Sequence, residues 1–90
     1  MDEKERLAEF NAIKGLFGGL VESLDSGSIT TFDVQRVKRR ATALLQHVKL
    51  KRQQLRLQQY IEAADAFEQN GRDGFYDCIA SWSRAALRSA

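Results

Sequence analysis

The residues best equipped for chemistry in this 90-residue chain are cations. Between Val34 and Gln59 lie Arg36, Lys38, Arg39, Arg40, Lys49, Lys51, Arg52 and Arg56, with His47 among them and no Asp or Glu. Such a run can neutralise phosphates or carboxylates, and both modes of binding weaken with salt. The flanks have the opposite sign. Residues 1–33 carry seven acids against three bases, and residues 60–79 carry five acids against one base. The formal net charge of +2 hides this polarity. The block therefore seeks a polyanion, or it is matched by the chain's own acidic helices or by a partner protein.

Other chemistries find little support. His47 and Cys78 are the single His and the single Cys, on different expected helices, with no local signature of a catalytic pair. His47 is expected to face solvent, and Cys78, beside Ile79, to be a buried structural thiol. Neither zinc spacing nor an acidic calcium loop is present. Asp73 and Asp77 lie one helical turn apart, and a cap plus a surface acid accounts for them. Glu62, Asp65 and Glu68 read as a solvated acidic strip. Gly15-Leu-Phe-Gly-Gly lacks the strand and the lysine of a phosphate loop, and Gly71-Arg-Asp-Gly74 reads as a connector. The expectation is a non-enzymatic protein with no catalytic residues, metal ligands or cofactor. Base stacking is weakly supported too, because no aromatic interleaves the cations and Tyr60 is the nearest.

The elements that must position these cations are helical. Proline is absent and apolar residues make up 43% of the chain, enough to argue against disorder. Leu7, Phe10, Ile13, Leu16, Phe17, Leu20, Val21 and Leu24 recur in steps that fit a first helix over about 3–25. Gly15, Gly18 and Gly19 weaken it by up to about 1 kcal/mol each, and close approach of a neighbouring helix would offset that cost. Because the apolar spacing runs through the glycines, an intact helix is expected rather than a break at Gly18-Gly19. Gly27 closes it, and Thr30 or Thr31 caps the next, with Asp33 in the first turn.

A second helix is expected over about 31–69, a stretch free of Gly and Pro. Unbroken, it would be about 58 Å long at 1.5 Å per residue. Val37, Ala41, Leu44, Val48 and Leu55 form one apolar stripe, and Leu50, Leu57, Ile61 and Ala64 form another on the opposite side. A helix with two apolar faces must contact partners on both. The alternative is a break near Lys49–Gln53 that resets the register. Asn70-Gly71 then stops the chain, and Phe75, Ile79, Trp82 and Ala86 mark a last helix over about 73–88, with Arg84 and Arg88 in its final turns. Phe67, Phe75, Tyr76 and Trp82 read as core.

Two stretches are similar to known families. Leu24-Asp-Ser-Gly-Ser-Ile before a long Gln- and Arg-rich helix resembles the helical hairpin of the exonuclease VII small subunit. Gly71-Arg-Asp-Gly-Phe-Tyr-Asp-Cys-Ile-Ala-Ser-Trp is similar to the last helices of caspase-recruitment domains, which need six short helices. Both likenesses rest on common residue types, and neither transfers a site residue.

The sequence thus predicts one all-α domain, a helical hairpin with a long central helix plus a third C-terminal helix. The free second stripe (Leu50, Leu57, Tyr60 and Ile61) is expected to form an interface, most simply in a homodimer. The N-terminus lacks the apolar stretch of a signal peptide and no run is long enough to cross a bilayer, so the expected location is the cytoplasm. The expected function is that of a small regulatory or adaptor protein acting through helix-mediated protein binding. The alternatives are a nucleic-acid-binding protein using the cationic block and a non-catalytic small subunit of an enzyme complex.

Overall fold

The computed structural model describes the backbone of residues 1–89 and the side chains of residues 1–82. Arg84, Ala86 and Arg88 therefore carry side chains outside the described residues. The chain is all-α, with three helices: α1 (Glu3–Ser26), α2 (Thr31–Leu45) and α3 (Lys51–Ser89). One cluster of buried side chains joins them.

Local chemistry sets the helix ends. The Asp2 carboxylate accepts the Glu5 amide at 2.8 Å, capping α1, and that bond holds its pKa below the ordinary value. At the other end Gly27 adopts φ 79°, and the Ser28 amide reaches back to the Ser23 carbonyl at 2.9 Å. Thr30 caps α2 by accepting the Asp33 amide at 3.2 Å. The helix α1 runs unbroken through Gly15, Gly18 and Gly19. A Cβ at any of the three would meet nothing within 4 Å, so close helix approach is not what these glycines serve.

The expected 31–69 helix is corrected. Its residues form two helices joined by a corner at Gln46–Leu50. The reason is the opposition of the two apolar stripes. A straight helix would leave Leu57 and Ala64 on the side away from Val37 and Leu44. The corner turns the chain back, so that all four are buried in one core. Burying a Leu-sized side chain gives roughly 1.5–3 kcal/mol. A helical hydrogen bond lost at the corner costs only about 1 kcal/mol net. Part of that loss is recovered, since the Val48 carbonyl accepts the Gln54 side-chain amide at 3.0 Å and the Leu50 carbonyl accepts the Gln54 backbone amide at 3.0 Å. The reset also moves Leu55 off the first stripe into solvent.

The 39 residues of α3 would span about 58 Å if straight, yet the longest dimension of the molecule is 37 Å. The bend is at Gly71, with φ 68° and ψ −148°, a conformation that only glycine adopts readily. It divides α3 into limbs 51–70 and 72–89, close to the expected boundary of the last helix. Gly74 makes the fold-back tight, for a Cβ there would lie 2.5 Å from the Ala66 carbonyl oxygen. The second limb brings Phe75 and Trp82 onto Phe17, with ring centroids 5.7 and 5.8 Å away, while Tyr60 stacks on Phe17 at 4.4 Å. Phe75 and Tyr60 are buried. Tyr76, expected in the core, is exposed instead.

Candidate functional site

The cationic block is divided by helical phase. On α2 the buried positions are Val34, Val37, Ala41 and Leu44. Lys38 and Arg40 flank that stripe on either side, and both meet acids of neighbouring helices. The Arg40 guanidinium grips Glu9 of α1 with two nitrogens, its Nε donating to Oε2 at 3.0 Å. Lys38 Nζ lies 2.7 Å from Asp65 and 3.1 Å from Glu68, both on α3. These pairs tie α2 to both of its neighbours, to α1 through Glu9 and to the first limb of α3 through Asp65 and Glu68. The Arg40 guanidinium holds the Glu9 carboxyl below its ordinary range. Asp65 first, then Glu68, raises the Lys38 ammonium above its own.

The other six cations stand clear. Arg36, Arg39, Lys49, Lys51, Arg52 and Arg56 are exposed, and among the described residues none is in an ion pair. Arg56 makes a single polar contact, to the Gln59 amide oxygen at 3.4 Å. His47 is exposed, as expected. Glu22, an acid that could have covered the block, makes no ion pair among the described residues. The six form two groups. Arg36 and Arg39 lie on the solvent side of α2. Lys49, Lys51, Arg52 and Arg56 lie at the corner and on the first turns of α3.

Apolar residues accompany both groups; Leu50 is expected at a surface from the sequence, whereas Phe32 and Leu7 are not. Phe32 is 64% exposed, one turn before Arg36. It lies two residues before Val34, hence roughly 160° from it at 100° per residue, so its phase could have revealed it. Leu7 likewise lies about 120° from Ile13 in helical phase, and it is 51% exposed. Leu50, at the corner, is 62% exposed. Leu7, Leu50, Gln53, Arg6, Lys49 and Glu3 line a hollow of about 460 Å³ between α1 and α3. An adjoining hollow of about 230 Å³ shares Leu50 and Gln53 and is completed by Phe10, Lys14, Arg52 and Arg56.

The expected self-association surface is redistributed. Leu57 and Tyr60 lie in the chain's own core and Ile61 packs against it, because the corner turns the second stripe inward. Leu50 is the one member of that set left exposed. Cys78 is half-buried, and burial, followed by the Glu62 carboxylate, pushes its thiol pKa up, which disfavours the reactive thiolate. Asp73 and Asp77 are exposed, and among the described residues no backbone amide donates to the Asp73 carboxylate, so its expected capping role is not seen. Among the described residues no group of three or more His, Cys, Asp or Glu is arranged to hold a metal ion. No described helix is long and apolar enough to cross a membrane.

No protein-family model matches this chain, and no curated protein or solved structure does so either.

Proposed function

We propose that this chain is a small non-enzymatic adaptor that docks an acidic surface of a partner protein through its uncovered cations. The observation that carries the reading is the mixing of charge with apolar surface. The cations at the corner surround exposed Leu50 and Leu7 rather than standing alone. A phosphate backbone makes no use of apolar side chains, whereas protein interfaces combine an apolar centre with a charged rim. The charges would set orientation and association rate, and the apolar residues would supply affinity.

Nucleic acid is the second reading, favoured by the solvent side of α2. There Arg36 and Arg39 are exposed and make no ion pair among the described residues, with Phe32 exposed one turn before Arg36. One experiment separates the two. Fluorescence anisotropy would compare a labelled acidic peptide (a glutamate-rich 20-mer) with labelled duplex and single-stranded oligonucleotides, at about 50 and 200 mM salt. The adaptor reading expects tighter binding of the acidic peptide. Tighter binding of an oligonucleotide, weakening steeply with salt, would replace it with the nucleic-acid reading.

A further inference from the structure

The two adjoining hollows between α1 and the start of α3 have a shape and charge that specify an occupant. Their apolar floor is Leu7, Phe10 and Leu50. Arg6 and Lys49 stand at one end, with Glu3 as the single carboxylate, and Lys14, Arg52 and Arg56 stand at the other. Five cations thus face one acid around an apolar centre. None of the five is in an ion pair among the described residues.

We infer that this cleft takes an amphipathic helix of a partner protein, with an apolar ridge flanked by Asp or Glu. The inference rests on the adaptor reading and gives it an occupant. Length supports a helix. Leu7 and Lys14, at the two ends of the cleft, are seven residues apart on α1, about 10 Å at 1.5 Å per residue. Apolar side chains at i and i+7 of a guest helix are separated by the same distance, so one enters each hollow, with a residue at i+3 or i+4 lying over Leu50. Guest carboxylates on both sides of the ridge then meet the Arg6–Lys49 and Lys14–Arg52–Arg56 ends. A flat anionic membrane fits less well, since the apolar floor lies between two helices and Glu3 stands in the rim.

The test uses the full chain and two 16-residue peptides of identical composition. One places Leu at i, i+3 and i+7 with Glu beside them, and the other scrambles that order. Binding is followed by amide chemical shifts and by anisotropy. The inference expects the amphipathic peptide to bind at least about tenfold more tightly than the scrambled one. It also expects shift changes centred on Leu7, Phe10, Leu50 and Gln53. Leu50→Ser should remove most of the difference while the helical circular dichroism stays the same. The double change Arg52→Glu and Arg56→Glu should weaken both peptides.

Equal binding of the two peptides would overturn the cleft and leave the acidic-partner reading standing. Binding of neither would overturn both. Preference for phosphatidylserine vesicles over the amphipathic peptide would assign the cleft to a membrane surface. Self-association that buries Leu50 and blocks the peptide would assign it to a second copy. Either result overturns the inference.

Discussion

The molecule turns sharply at two corners, and they are built on opposite principles. At Asn70–Gly74 the turn depends on missing side chains. Gly71 supplies a left-handed backbone angle, and Gly74 lets the second limb of α3 press on the Ala66 carbonyl. The charge there is absorbed by structure, since Arg72 donates to the Leu24 carbonyl at 3.1 Å and places a cation at the C-terminus of α1, which has none of its own in its last turn. At Gln46–Leu50 there is no glycine. That corner is held by buried apolar residues, Leu44 before it, Val48 within it and Leu57 after it, together with the Gln54 side chain. Its surface positions are sterically free, and Lys49, Leu50, Lys51 and Arg52 occupy them. A corner made by steric exclusion tolerates little substitution. A corner made by the phase of buried side chains leaves its outer residues available for binding.

The contrast can be broken or sharpened by substitution. The largest effect is expected for Gly74→Val, whose Cβ would overlap a backbone carbonyl that cannot rotate away. A loss of about 3 kcal/mol or more, read from urea unfolding, is expected from forced overpacking. A loss below about 1 kcal/mol would show that the fold-back is looser than described. At the other corner, Val48→Ala removes two buried methyl groups and should cost about 2 kcal/mol in the same measurement. Gln54→Ala leaves the Val48 carbonyl without its side-chain donor, for a cost of about 1 kcal/mol.

Arg40→Ala comes next, at about 0.5–1 kcal/mol, because the pair with Glu9 is only partly shielded from solvent. This variant also has a pH signature. The Glu9 carboxyl is depressed in the folded state, so its stabilising contribution is complete above its ordinary value of 4.5 and is lost as pH falls through the folded value. Between neutral pH and about pH 3, Arg40→Ala should lose less stability than the parent chain. Equal losses would mean the pair adds nothing. The smallest stability effect, within about 0.5 kcal/mol, is expected for Lys49→Glu with Arg52→Glu. That variant should nevertheless lose acidic-peptide binding. Unchanged binding would remove the functional half of the contrast between the corners.

Sequence periodicity made much of this legible for specific reasons. Val37, Ala41, Leu44 and Val48 keep one helical phase, and all four are buried. Asn70-Gly71 and Gly27 mark chain turns because glycine is the residue that takes positive φ cheaply. The corner at Gln46–Leu50 carries no such mark. The opposed stripes signalled a conflict that self-association or a turn could each resolve, and local propensity does not choose between them. The cations were visible as a block, yet their division was not. Lys38 and Arg39 are neighbours of the same charge, and only the presence of Asp65 and Glu68 opposite one of them makes it structural.

The sequence by itself determined the helical class, the cap at Thr30, the glycine turns and the isolation of positive charge between two acidic flanks. Each depends on residues within a turn or two of one another. The tertiary structure decided that the second stripe faces inward, that two of the eight cations are bound by acids, and that Leu7, Phe10 and Leu50 line adjoining hollows beside three of the others, Lys49, Arg52 and Arg56. These outcomes depend on how helices distant in sequence pack on one another, which is fixed by the total apolar burial of the folded chain and not by any local preference.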